Sequence, residues 1–199
     1  MKKAEHHMER IMLDRKLVDE MEQDMLIRRH IERYALVRQY AFGRVIDAAC
    51  GVGYGTYLVS KNPDVKEILG VDCDSETIDF AKENYEGGKI NFNCTTFDKV
   101  TGEFDVLLSL ETIEHLEEPE ILAEMAKRCH IKEIIVSYPT KKTTHYNKYH
   151  LWDFSRADIE HIFNLYECIR VMQNGDSEIL HFIKRNQQGS LPRRYLGRG

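Results

Sequence analysis

Val45-Ile46-Asp47-Ala48-Ala49-Cys50-Gly51-Val52-Gly53-Tyr54-Gly55 decides the reading of this 199-residue chain. An apolar run leads into three glycines spaced by two, and a helical stretch follows. Glycine has no Cβ, so the backbone there turns sharply and comes close to a ligand. A strand, a glycine turn and a helix make the first unit of an open α/β sheet. Ligands of such sheets bind at the carboxyl ends of the strands. The dinucleotide fingerprint G-x-G-x-x-G would need glycine five positions after Gly51, where Thr56 stands. The third glycine at Gly55 gives a more open loop, suited to a ligand without a pyrophosphate.

The next strand runs through Ile68-Leu69-Gly70-Val71 and ends in Asp72, 21 residues after Gly51. A carboxylate at that tip can accept hydrogen bonds from both hydroxyls of a ribose. Asp74 and Ser75 read as the start of the following helix. The ligand implied is a nucleoside lacking the dinucleotide's phosphates.

Around this pair the chain alternates. Strands are expected at Arg44–Ala49, Lys66–Val71, Lys89–Cys94, Phe104–Leu110 and Glu133–Tyr138, with helices at Thr56–Lys61, Ser75–Tyr85, Glu120–Arg128 and Arg156–Asn164. Two closing strands, Tyr166–Met172 and Glu178–Lys184, are joined through Asn174-Gly175 and predict an antiparallel hairpin. The alternation predicts an α/β fold with a mostly parallel sheet covered by helices on both faces. Met8, Ile11, Val18, Met21 and Met25 repeat at helical spacing, continued by Ile31, Tyr34 and Leu36-Val37. They predict one or two amphipathic helices packed on the domain. Lys184 to Gly199 carries five cations and no acid and reads as a basic tail. The expected organisation is a helical cap over 1–40, a cofactor-binding domain over 41–184 and the tail over 185–199.

Charge narrows the function. Lys plus Arg number 28 and Asp plus Glu 33, a net charge of −5. That balance disfavours a general binder of nucleic acid or anionic membrane, whose affinity comes from neutralising phosphates. No apolar run reaches membrane-spanning length, and MKKAEHHMER lacks the core of a signal peptide. The five cysteines form no C-x-x-C and read as small hydrophobes in a reducing compartment, the cytoplasm.

The sequence resembles the class I S-adenosylmethionine-dependent methyltransferases over roughly residues 30 to 184. The carriers are VIDAACGVGYGTYL, ILGVDCDSETIDFAKENY, EFDVLLSLETIEHLEEPE and IIVSYPT. The resemblance implies a Rossmann-like three-layer sandwich, its seven-stranded, mostly parallel sheet having an antiparallel last strand. It implies S-adenosylmethionine as cofactor and S-adenosylhomocysteine as product. Carried over by position, Asp47 would lie near the methionine end of the cofactor. Ala49, Gly51 and Gly53 would offer backbone, with Tyr54 and Gly55 shaping the loop. Asp72 would hold the ribose, Cys73 would pack against adenine, and Leu110 and Glu111 would line the site near the sulfonium. His30-Ile31-Glu32-Arg33-Tyr34 resembles the segment that caps the pocket in related small-molecule enzymes. The family often places an acid after the third strand to meet the adenine amino group. Here Thr96 occupies that position and Asp98 is displaced by two. Cys129-His130-Ile131-Lys132 replaces the family's usual Pro-Gly-Gly turn.

Methyl transfer to a hydroxyl needs a base, and His115, His145 and His150 are the candidates, with His115 and His150 preferred. The stretch from Tyr138 to Phe154 crowds Tyr138, Tyr146, Tyr149, two histidines and the only Trp after the fifth strand, where acceptors bind. It reads as a substrate wall. It also resembles methyltransferases acting on small molecules and on sugars in surface-glycan pathways, so the acceptor expected is a small molecule, a sugar or a sugar nucleotide, methylated at oxygen or nitrogen. A competing resemblance exists. Glu111, Glu114, His115 and His150 also look like the metal-binding set of RNA 3′-terminal ribose 2′-O-methyltransferases, which would hold Mg²⁺ or Mn²⁺. A third alternative is a protein that binds the cofactor without transferring methyl groups.

Overall fold

The computed structural model describes residues 15–185; His6-His7, Met8, Ile11 and the basic tail beyond Arg185 lie outside the described residues. The elements in chain order are α1 (Arg15–Val37), β1 (Gly43–Ala48), α2 (Tyr54–Ser60), β2 (Val65–Asp72), α3 (Ser75–Tyr85), β3 (Ile90–Cys94), β4 (Val106–Leu110), α4 (Ile121–Arg128), β5 (Glu133–Pro139), α5 (Arg156–Ile162), β6 (Tyr166–Asn174) and β7 (Ser177–Lys184). Seven strands form one sheet in the order β3-β2-β1-β4-β5-β7-β6. β7 runs antiparallel to both β5 and β6, and the other recorded pairings are parallel. This is the expected Rossmann-like sheet, closed by the expected hairpin.

The sheet is buried on both faces, so its central strands are continuous apolar runs rather than alternating ones. Successive residues face opposite layers. Ile46, Leu107 and Ile134 pack with Leu122 and Met125 of α4 and Phe163 at the end of α5. Val45, Leu108 and Ile135 pack with Val37 of α1, Val59 of α2 and Ile78 and Ala81 of α3. The three layers follow from this period of two acting on side chains that are apolar at every position.

Local chemistry sets the helix ends. Asp74 caps α3, its carboxylate accepting from the Thr77 amide at 3.1 Å. Ser155 and Asp158 form a reciprocal capping box at the start of α5. After α4, His130 has φ +54° and takes the left-handed position that glycine usually fills, while Ile131 donates its amide to the Ala126 carbonyl. That turn stands where the sequence departs from Pro-Gly-Gly.

The N-terminal periodicity resolves into a single helix. Its carboxyl half is pinned through buried Arg33, Tyr34 and Val37, whereas residues 19–28 are exposed throughout. The expectation of a helix packed on the domain holds only for its second half. Tyr138 also departs from expectation: it is 2% exposed within β5, with its hydroxyl donating to Glu178 at 2.7 Å. It belongs to the core and not to an exposed wall, because both faces of β5 are covered and its ring packs in the cluster with Phe163 and Phe182.

Candidate functional site

β1 and β4 are neighbours at the centre of the sheet, and both end in a residue forced to positive φ. Ala49 has φ +60° and Glu111 φ +52°. Left-handed backbone at a non-glycine residue is strained and concentrates at functional sites. Between these ends and the end of β2 opens a mostly apolar cleft of about 500 Å³, lined by Ala49, Asp72, Cys73, Thr96, Phe97 and His115 among others.

Asp72 organises the mouth of the cleft. One carboxylate oxygen accepts the Gly51 amide at 3.0 Å and the other accepts the Asp74 amide at 3.1 Å. The glycine loop is thereby tied to the tip of β2, and each carboxylate oxygen keeps capacity for a further hydrogen bond. Gly53 begins α2 at φ +86°, and an added Cβ there would meet Ala81 and Phe92 at 2.8 Å. The close approach of loop and sheet requires glycine.

Beneath the loop lies Asp47, fully buried. Its carboxyl accepts from Thr56 Oγ1 at 2.7 Å and from the Tyr34 hydroxyl at 3.2 Å. Burial raises its pKa to about 7, opposed by those two hydrogen bonds. The Tyr34 ring stands edge-on to Tyr54, with centroids 5.6 Å apart. Thr56, the residue that breaks the dinucleotide fingerprint, therefore has a positive role: it supplies a hydroxyl donor to a buried acid.

Glu111 is held by three donors. Ser137 Oγ donates at 2.7 Å, Ser177 Oγ at 2.9 Å, and the Arg33 guanidinium lies at 3.4 Å. Arg33, Ser137 and Ser177 were not among the sequence candidates. Arg33 belongs to the His30–Tyr34 segment that resembles a cap, but serines on β5 and β7 carry no motif that marks them.

Of the three histidines proposed as bases, two come together. His115 and His150 pack edge to face with centroids 4.6 Å apart, while His145 packs edge to face with Tyr146 instead. His115 Nδ1 lies 2.9 Å from the Tyr149 carbonyl. A carbonyl only accepts, so Nδ1 is the donor in this contact and Nε2 is the ring nitrogen left over. His150 Nδ1 lies 2.6 Å from Thr143 Oγ1, and burial together with the nearby His115 lowers its pKa. Tyr149 and Tyr146 are exposed, and the Trp152 indole donates to the Leu116 carbonyl at 2.8 Å, fastening the aromatic loop beside the cleft.

Glu114 is 1% exposed, and neither of its carboxyl oxygens has a hydrogen-bond partner among the described residues. Desolvation, with Glu111 adding to it, raises its pKa to about 8. One ligand atom each from Glu114, His115 and His150 lie within 4.8 Å of one another. An orphaned buried carboxyl beside two imidazoles fits a divalent cation. Glu111, counted with them from sequence, is engaged by the serines and Arg33 and is absent from that group.

The cleft thus collects Ala49, Asp72, Cys73, Thr96 and His115 of the sequence candidates. Gly51 and Gly53 form its adjoining loop, Gly55 and Tyr54 lie against Tyr34, and Asp47, Leu110 and Tyr34 are buried below. Asp98 is exposed in the single turn Phe97–Lys99.

Residues 45–130 match the methyltransferase-domain family. Among known proteins the chain is 32% identical over 90 residues to a mitochondrial ubiquinone biosynthesis O-methyltransferase of Saccharomyces cerevisiae, covering 43% of this chain and 28% of that one. It is 33% identical over 84 residues to a phosphoethanolamine N-methyltransferase of Triticum aestivum, covering 40% and 16%. The chain therefore spans less than a third of the length of these two relatives. In structure it is similar to magnesium protoporphyrin IX methyltransferase of Synechocystis PCC 6803 with bound SAH, at TM-score 0.70 and 16% identity, covering 88% of this chain and 90% of that one.

Proposed function

From a chain that carries a methyltransferase domain in the class I fold, we propose an S-adenosylmethionine-dependent methyltransferase acting on a small-molecule acceptor. The observation that carries this reading is the cleft at the carboxyl ends of β1, β2 and β4, with Asp72 at its mouth and His115 on its rim. Asp72 is read as the ribose ligand, Cys73 and Thr96 as adenine neighbours, and Asp47 as lying toward the methionine end. The family match and the alignments to O- and N-methyltransferases support it.

Transfer from a sulfonium asks the protein mainly for alignment. A lone pair of the acceptor attacks the methyl carbon, and the carbon–sulfur bond breaks with its electrons passing to sulfur, leaving the neutral thioether. A hydroxyl acceptor must also lose its proton. His115 is read as the base that takes it through Nε2, a reading supported by the engagement of Nδ1 with the Tyr149 carbonyl. Burial and the nearby His115 lower the pKa of His150, which favours its neutral form. The aromatic loop carrying Tyr146, Tyr149 and Trp152 is the proposed acceptor wall, with a sugar or sugar nucleotide as a fitting occupant. Arg33 and Tyr34, reaching from α1 to Glu111 and Asp47, support assigning residues 1–40 as a cap on the domain over 41–184. Five free thiols support a cytoplasmic setting. No described helix is long and apolar enough to cross a membrane.

Calorimetry with S-adenosylmethionine tests this reading directly. Micromolar binding is expected for the wild type and its loss for Asp72→Ala; a folded wild type that gives no heat overturns it. His115→Ala is expected to lower turnover at unchanged cofactor affinity. Labelled cofactor that stays untransferred across a metabolite mixture would favour a binder without catalysis.

A second reading rests on the Glu114, His115 and His150 group. These residues would hold Mg²⁺ or Mn²⁺ beside the cleft, and such an ion supplies Lewis acidity toward an acceptor hydroxyl, as in terminal ribose methylation. Paramagnetic broadening by Mn²⁺ of the His115 and His150 ring signals, absent in Glu114→Ala, is the result expected of it.

A further inference from the structure

His115 and His150 come from separate segments, and their rings meet through the folding of the loop between β5 and α5. Three contacts fasten the later part of that loop to the turn Ile113–His115 and the residue after it. The Tyr149 carbonyl lies 2.9 Å from His115 Nδ1, the Leu151 amide donates to the Glu114 carbonyl at 2.8 Å, and the Trp152 indole donates to the Leu116 carbonyl at 2.8 Å. The earlier part is closed by one side chain. Asp153 Oδ1 accepts the Thr143 amide at 2.7 Å and the Thr144 amide at 3.2 Å, while Oδ2 accepts the Thr144 hydroxyl at 2.7 Å. The two ends of the segment 143–153 therefore meet at a carboxylate. At that junction the hydroxyl of buried Thr143 lies 2.6 Å from His150 Nδ1.

We propose that Asp153, acting through Thr143 and the loop it closes, is a positioning residue for the His115–His150 pair. The closure fixes Thr143 against His150, and the Tyr149 carbonyl that engages His115 lies between the two closed ends in sequence. Hydrogen bonds from Thr144 and Thr143 hold the Asp153 carboxyl below its ordinary pKa, so it is an ionised acceptor at neutral pH. Asp153 belongs to neither core cluster, so its loss is expected to loosen the loop and spare the sheet. The role goes beyond the methyltransferase reading and takes from it only the placement of both histidines at the site. It is the same whether they serve as base or as ligands of a cation.

The chemistry of the closure supplies its own controls. Asparagine has an oxygen for the two amides and an NH2 that can donate to the Thr144 hydroxyl, so Asp153→Asn keeps the loop closed. Asp153→Ala removes all three bonds. Thr143→Val keeps the shape of the side chain and removes the hydroxyl that meets His150.

Long-range proton–nitrogen correlation spectra of the histidine rings, recorded on the full chain at about pH 8 and assigned by substitution, test the proposal. The wild type is expected to show His115 with its proton on Nδ1. In Asp153→Ala the ring nitrogens of both His115 and His150 are expected to shift, and His115 to lose its preference for Nδ1, with unchanged circular dichroism. Asp153→Asn is expected to stay at the wild-type positions, and Thr143→Val to move His150 more than His115. Methyl transfer from labelled cofactor into a metabolite mixture is expected to fall by about tenfold or more in Asp153→Ala, with cofactor affinity within about twofold of wild type by calorimetry. Ring signals indifferent to Asp153→Ala overturn the proposal. So does an Asp153→Asn as damaging as Asp153→Ala, or an Asp153→Ala that loses its circular dichroism and so marks a general structural residue. A wild type that binds no cofactor, yet whose ring signals respond to Asp153→Ala, overturns the methyltransferase reading and leaves the positioning role in place.

Discussion

Gly55→Ala is the substitution that most sharply separates local propensity from packing. Position 55 lies in the first turn of α2, and alanine in a helix is favoured over glycine by about 0.5–1 kcal/mol. By propensity alone the change stabilises. A Cβ built on Gly55 would, however, fall inside the Tyr34 ring, against Cζ, Cε1 and Cε2. That ring is 6% exposed and ends in the hydrogen bond to Asp47, so it has nowhere to yield without releasing the buried acid. Overpacking of this kind costs about 1–3 kcal/mol. Loss of the bond to Asp47 adds about 1–3 kcal/mol, offset in part by the helix gain. The net expectation is a loss of roughly 3 kcal/mol. Urea unfolding in a double-mutant cycle with Tyr34→Ala measures it. With the ring removed, Gly55→Ala is expected to become neutral or stabilising by up to about 1 kcal/mol. Equal destabilisation in both backgrounds would refute the reasoning, as would a stabilised single mutant.

The remaining expectations are brief. Asp47 is raised to about 7, so without ligand the folded state binds a proton that the unfolded state has released. The penalty from this one group is therefore absent below about pH 4 and grows to roughly 4 kcal/mol as pH rises through 7. Asp47→Asn is expected to remove that share of the slope in urea titrations from pH 4 to 8, leaving the share of Glu114, which is raised to about 8. Gly53→Ala, at φ +86° and with Phe92 and Ala81 at 2.8 Å, is expected to cost roughly 3 kcal/mol. Gly51→Ala, at φ +53° with nothing within 4 Å, should cost about 1 kcal/mol, and similar values for the two would contradict this. Arg33→Met leaves Glu111 with its two serines but no cation; a loss of roughly 2 kcal/mol in thermal or urea unfolding is expected, less than for a fully buried pair because Glu111 is partly exposed.

The sequence alone determined the layered α/β fold, the order of its strands and helices and the closing hairpin. These depend on local signals: continuous apolar runs for strands buried on both faces, glycines at a turn, Asn174-Gly175 between two strands. It also marked Asp72, because that position follows from the end of a strand. What the tertiary structure decided rests on contacts across long stretches of chain. Arg33 reaches Glu111, Ser177 reaches the same carboxylate from the last strand, and His115 finds His150 across the aromatic loop. No residue in isolation carries a sign of such partners, since a serine on a strand reads alike whether it faces an acid or solvent. Tyr138 shows the same limit, counted as a wall residue by its neighbours in sequence and buried because layers cover both faces of β5. Thr56 shows the converse. In the sequence it registered as a missing glycine; folded, it is the hydroxyl that binds Asp47, because the turn of α2 brings it back over the strand that precedes it.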